Sequence, residues 1–148
     1  MIYGDSHVNN FYFKDIKEIN TVSHPGATSK ELCEDLEFYI KEKQYDTIII
    51  IAGTNDLGGG NNVDNLILFI EEMVHISLDN HIKNIIIVPP WSFGYNIQET
   101  IDEYFVKNNF EIGIIYFQTI PEYISDDGVH LSHSGNISLK ELILSCLE

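Results

Sequence analysis

A serine, a histidine and a carboxylate suffice for nucleophilic catalysis when the histidine can take the serine proton and the carboxylate holds the imidazole in one tautomer. This sequence places such groups near its two ends. Gly4-Asp5-Ser6-His7 closes a short apolar start, and Asp126-Asp127-Gly128-Val129-His130 sets an acid three residues ahead of a histidine. A serine after an apolar run is by itself more often a helix cap, so Ser6 gains weight only from the other stretches. Asp126 competes with Asp127 for the imidazole, and the spacing favours Asp127.

Acyl transfer also needs donors for the negative charge that develops on the attacked carbonyl oxygen. Gly53-Thr54-Asn55-Asp56 supplies the amide N–H₂ of Asn55, and Ser23-His24-Pro25-Gly26-Ala27-Thr28 supplies the bare backbone N–H of Gly26. Each stretch is also ordinary turn chemistry, which Asn, Asp, Gly and Pro dominate. Two other chemistries compete. A metal could be held by His7, His24, His130 and Asp127, but no close helical histidine pair or cysteine cluster accompanies them. A non-catalytic sheet binding a nucleotide, a flavin or an acylated partner is the other. Against it, Gly58-Gly59-Gly60 lacks the Lys and Ser/Thr of a phosphate-binding loop, and no Gly-x-Gly-x-x-Gly follows the first strand.

These residues must be positioned by regular elements. Unbroken β-branched runs at Thr47–Ala52 and Ile85–Val88 predict buried parallel strands, with a weaker one at Ile112–Phe117 and shorter ones at Met1–Gly4 and Ile19–Val22. Apolar residues at three- and four-residue spacing from Val63 to Val74 predict a helix. Others are expected at about Ser29–Lys43 with Ser29 as N-cap, near Ile97–Val106, and over Ser134–Leu147, the last burying Ile137, Leu142 and Leu144 or neighbours. Strands alternating with helices imply right-handed crossovers and an α/β/α three-layer sandwich around a five-stranded parallel sheet. In such sheets ligands gather at the carboxyl ends of the strands, where the four stretches fall. Pro89, Pro90, Trp91, Phe93 and Tyr95, after the fourth strand, could line a pocket there or cover the sheet end. Gly58 to Gly60 could be a lid or a connection.

Size and charge narrow the function further. The chain has 148 residues, fit for a single domain over 1–148, and carries 23 acidic against 8 basic side chains for a net charge of −15. That field repels phosphate backbones, so no nucleic acid is expected as a partner. No apolar run approaches the 18 or so residues of a membrane span, so no membrane insertion is expected, and no signal segment opens the chain, which points to the cytoplasm. Cys33 and Cys146 are expected as reduced side chains.

Taken together and in order, Gly4-Asp5-Ser6, Gly26, Gly53-x-Asn55-Asp56 and Asp127-x-x-His130 resemble the four signature blocks of the SGNH (GDSL-like) hydrolase superfamily, across essentially the whole chain. The resemblance implies a flavodoxin-like sandwich with strand order 2-1-3-4-5, no metal and no cofactor, and hydrolysis of a small-molecule or glycan ester through an acyl-enzyme. Carried over residue by residue, it makes Ser6 the nucleophile, His130 the general base and Asp127 the orienting acid. The oxyanion donors would be the Ser6 N–H, the Gly26 N–H and the Asn55 side chain, while Asp5 and Asp56 look structural. One departure is the first strand, with only Met1 to Tyr3 ahead of Gly4.

Overall fold

The computed structural model describes residues 1–147. Five parallel strands, β1 (Ile2–Gly4), β2 (Thr21–Ser23), β3 (Thr47–Ile51), β4 (Asn84–Val88) and β5 (Gly113–Ile114), form one sheet in the order β2-β1-β3-β4-β5. Five helices surround it: α1 (Ser29–Lys41), α2 (Thr54–Gly58), α3 (Val63–Asp79), α4 (Tyr95–Lys107) and α5 (His133–Cys146). Successive strand residues point to opposite faces, so the isoleucine run of β3 feeds two cores at once. Ile48 and Ile50 join Tyr3, Ile85 and Ile87 under α1, α3 and α4. Ile49 and Ile51 join Ile2, Val88, Ile115 and Phe117 under Leu139 and Ile143 of α5. This is the expected three-layer sandwich with its 2-1-3-4-5 order. No helix among the described residues is long and apolar enough to cross a membrane.

Several expected boundaries move, each for a local reason. β2 starts at Thr21 rather than Ile19 because the Ile19 N–H is spent in a turn on the Ile16 carbonyl, 3.1 Å away. β5 is only two residues long. Ile115 still donates to the Ile87 carbonyl at 2.9 Å, but the next ladder donor on β4 would be Pro89, which has no N–H. The Phe117 N–H turns instead to the Gln98 side chain at 3.0 Å. The cap of α1 is Thr28, in a reciprocal capping box with Glu31, one residue ahead of the expected Ser29. Helix α2, read from sequence as a turn, follows directly on β3. α5 buries Gly135, Leu139 and Ile143 rather than Ile137, Leu142 and Leu144. Gly135 fixes that face, since a Cβ there would stand 2.2 Å from the Tyr123 carbonyl oxygen.

The three-residue β1 is held despite its length. It pairs on both edges, with Gly4 opposite Ser23 on one side and Ile51 on the other. Gly4 admits the closest approach, because a Cβ on it would lie 2.0 Å from the Ile51 carbonyl oxygen. The chain leaving β1 is therefore pressed against the end of β3, and the Asp5 N–H donates to that same carbonyl at 3.2 Å.

Candidate active site

Ser6 sits in a tight turn that Asp5 closes. One carboxylate oxygen of Asp5 accepts the His7 N–H at 2.9 Å, its carbonyl accepts the Val8 N–H at 3.0 Å, and the Ser23 hydroxyl donates to the same carbonyl at 3.1 Å. These bonds leave the half-buried Ser6 hydroxyl facing the loop ahead of α5, where its Oγ lies 3.3 Å from His130 Nε2.

The loop ahead of α5 is built around Asp127. Oδ1 accepts the Ser125 hydroxyl at 2.7 Å and the backbone N–H groups of Val129 and His130 at 2.9 Å each, while Oδ2 meets His130 Nδ1 at 2.6 Å. Asp127, not Asp126, is thus the acid on the imidazole. The His130 hydrogen bond first, and then the two backbone donors and Ser125, hold the Asp127 carboxyl well below the usual carboxylate range. A carboxylate fixed in this way takes the Nδ1 proton as its donor and assigns the lone pair to Nε2, the atom that faces Ser6. Gly128 turns the chain between acid and histidine at φ +73°.

Asn55 lies in the first turn of α2, immediately beyond the end of β3. Its amide donates one hydrogen to the Ala27 carbonyl at 2.8 Å, which ties it to the loop carrying Gly26 and leaves its second hydrogen for another acceptor. Gly26 adopts φ +81°, a conformation costly for any residue with a side chain. Asp56 is buried and accepts both the Ser29 N–H at 2.8 Å and the Ser29 hydroxyl at 2.5 Å, joining α2 to the start of α1. Asn55 and Gly26 are therefore fixed relative to each other by two independent ties.

Beside these groups opens a cavity of about 600 Å³, lined by Gly26, Thr28, Thr54, Asn55, Gly58, Gly59, Ser92, Phe93, Gly128 and Val129. Its size suits a small molecule. The segment after β4 divides as it passes this cavity. Phe93 lines it, whereas Trp91 is buried against His7 and Phe117, with ring centroids 4.5 and 5.0 Å apart. Pro89 and Pro90 are buried with Trp91, and Tyr95 is exposed against Tyr116. A second recess, of about 370 Å³, opens at the opposite end of the sheet near Thr47 and Asn84 and holds none of the groups described here.

Two titratable groups beside Ser6, Asp5 read from sequence as structural and His7 as a candidate metal ligand, are buried. Asp5 is fully buried with Oδ2 unpaired, and burial pushes its carboxyl up to about 7 against the pull of the His7 N–H. The His7 imidazole, packed on Trp91 and 6.2 Å from the His130 ring, is pushed down to about 4, mainly by burial and then by the nearby His130. Their burial follows from their place flanking Ser6 at a buried strand end. His24 packs against Tyr3 and Tyr39 instead, and among the described residues no three His, Cys, Asp or Glu side chains are grouped to hold a metal. Cys33 is buried and Cys146 exposed, neither in a disulfide.

No family model matches the chain, and no curated protein matches its sequence. Solved structures do match. A GDSL-like lipase from Bacteroides thetaiotaomicron is similar at 18% identity and a TM-score of 0.79, covering 98% of this chain and 85% of its own. A lipase/acylhydrolase from Enterococcus faecalis is similar at 20% identity and a TM-score of 0.75, covering 97% and 93%. A carbohydrate esterase family 3 protein from Talaromyces cellulolyticus is similar at 16% identity and a TM-score of 0.76, covering 99% and 94%. The fold of this chain is thus the one these GDSL-like lipases and esterases share.

Proposed function

We propose that this protein is a serine esterase that hydrolyses a small-molecule or glycan ester through a covalent acyl-enzyme. The observation that carries the reading is the continuous hydrogen-bonded path Ser6 Oγ, His130 Nε2, His130 Nδ1, Asp127 Oδ2, set at the carboxyl end of the sheet, where Gly128 and Val129 of the same loop line a cavity. His130 Nε2 takes the Ser6 proton as Oγ attacks the ester carbonyl, and Asp127 stabilises the imidazolium that forms. Negative charge on the carbonyl oxygen meets the Ser6 N–H, the Gly26 N–H and the free Asn55 amide hydrogen. The imidazolium then protonates the departing alkoxide, which leaves acyl-Ser6. Water, deprotonated by the same histidine, attacks this second ester, and the carboxylic acid departs with Ser6 restored.

Ester hydrolysis by the purified protein, measured with p-nitrophenyl acetate, is expected to vanish in Ser6→Ala and in His130→Ala. A fluorophosphonate is expected to add once per chain, at Ser6, in the wild type alone. Equal hydrolysis by all three proteins, or labelling that survives in Ser6→Ala, would remove Ser6 as nucleophile.

A further inference from the structure

The bonds that Asp127 accepts fix it to His130 within one loop, but they do not fix where that loop stands relative to Ser6. The contact that matters joins segments 124 residues apart, and at 3.3 Å from Ser6 Oγ to His130 Nε2 it already lies at the far edge of proton-transfer reach. A small outward slip of the loop breaks it. Both side chains of the Asp127–His130 pair are about half exposed, so water stands ready to take the place of a lost contact.

Beside that contact the two segments meet again through rings. His7 follows Ser6 in the same turn, where Asp5 Oδ1 accepts its N–H, and its ring lies 6.2 Å from the His130 ring at a tilt of 49°, within the range of paired aromatic rings. The His7 ring also lies on Trp91 at 4.5 Å, Trp91 meets Phe117 at 5.0 Å, and Phe117 stacks on Tyr123 at 6.2 Å with 14° between the planes. The Tyr123 carbonyl accepts the Ser132 N–H at 2.8 Å, two residues beyond His130. This chain of contacts leaves the Ser6 turn and returns to the His130 loop, and His7, Trp91 and Phe117 along it are buried. Burial first, and then the neighbouring His130, push the His7 imidazole down to about 4, so at neutral pH it carries no charge to oppose the imidazolium that forms on His130.

We infer that His7 is a positioning residue for the proposed reaction: its ring, backed by Trp91, keeps the His130 imidazole from slipping away from Ser6 and so sets the Oγ to Nε2 distance. This rests on the serine-esterase reading above. His7 acts through His130 and does not line the cavity. Acylation and deacylation both use His130, so both slow together when it is misplaced, and the loss falls on kcat rather than on KM. The two segments cross once more, farther along each, where the Tyr12 hydroxyl meets His133 Nδ1 at 3.0 Å on the exposed surface. That contact is the natural comparison.

The test is kcat and KM for p-nitrophenyl acetate, with the rate of fluorophosphonate labelling, in wild type, His7→Ala, His7→Phe, Trp91→Leu and Tyr12→Phe, with Ser6→Ala as control. His7→Ala is expected to lower kcat by about 10–100-fold with KM within about twofold, and to slow labelling by the same factor. His7→Phe, which keeps a ring at that place, is expected to stay within about fivefold of wild type. Trp91→Leu is expected to lower kcat in the same sense, and the double variant His7→Ala/Trp91→Leu to lose little beyond His7→Ala, since both act through one contact. Folding is checked by urea unfolding, followed in the His7 variants by the fluorescence of Trp91, the single tryptophan of the chain. If His7→Ala does not fold, His7→Gln, of similar volume without a ring, carries the same expectation. Wild-type kcat in a folded ringless variant, a rise in KM alone, or losses that multiply in the double variant overturns the role of His7 while leaving the esterase reading intact. So does a loss in Tyr12→Phe that the ringless variant does not share, which would move the brace to the surface contact. Hydrolysis undiminished in Ser6→Ala overturns both readings together, and so is told apart from failure of the His7 role alone.

Discussion

Asp5 and His7 flank the proposed nucleophile and titrate in opposite senses, so each hides the other in the stability of the protein. Asp5 has its carboxyl raised by burial to about 7 from an ordinary value near 3.8. Between those values the unfolded chain has lost the proton and the native state keeps it, so raising the pH favours unfolding, by about 4 kcal/mol over the whole interval. His7 is the reverse case, lowered by burial to about 4 from 6.5. There the unfolded chain holds the extra proton, and raising the pH through the same region favours folding by about 3 kcal/mol. Above pH 5, about 3 kcal/mol of the Asp5 loss and about 2 kcal/mol of the His7 gain remain, so the pair nearly cancels in the wild type. Glu31 and Asp127 are held below the ordinary carboxylate range and act only at more acid pH. Urea unfolding at half-unit steps from pH 5 to 7.5, for wild type, Asp5→Asn and His7→Gln, separates the two groups. Relative to wild type, Asp5→Asn is expected to gain about 3 kcal/mol across that range and His7→Gln to lose about 2. The absolute stability of Asp5→Asn falls as well, since its amide buries a donor where Oδ2 has no partner, but the slope is the readout. Variant curves parallel to wild type would show that neither group changes its protonation on folding, and the account of the Ser6 turn as burial raising Asp5 and lowering His7 would be wrong.

Other outcomes follow from single contacts. Asn55→Ala is expected to lower kcat for ester hydrolysis by about 10²–10³, the cost of one oxyanion donor, and also to loosen Gly26 through loss of the bond to the Ala27 carbonyl. Fluorophosphonate labelling slowed in proportion to kcat would check it, whereas an unchanged kcat would remove the amide from the oxyanion site. Gly4→Ala forces a Cβ toward a backbone oxygen only 2.0 Å away and is expected to cost about 3 kcal/mol or more in urea unfolding, with a wild-type midpoint refuting the close approach of β1 to β3.

The sheet was readable because its central strands are long apolar runs whose burial on both faces leaves few alternatives, as Thr47–Ile51 and Asn84–Val88 show. Its edges were not, because their ends are decided by single backbone donors: a missing one at Pro89 shortens β5, and one turned back at Ile19 delays β2. Helix α2 was missed for a related reason. Its five residues are too few to show periodicity, and Gly53 and Asn55 read equally well as a turn. The site divides along the same line. Asp127 and His130 were legible since an acid and its histidine lie on one loop, and a three-residue spacing is enough to bring Oδ2 to Nδ1. What surrounds them is written in long-range contacts between segments of no obvious kinship. Ser6 meets His130 across 124 residues, Asp56 is bound by Ser29, and Gly58 and Phe93, from two different loops, line one cavity. A motif therefore names the candidate groups, while the space around them and the charge state of the turn that carries Ser6 are properties of the packed fold. Asp5 makes the point most sharply: in sequence it is an acidic residue beside a serine, and in the fold its burial, with one oxygen unpaired, pushes its carboxyl up to about 7.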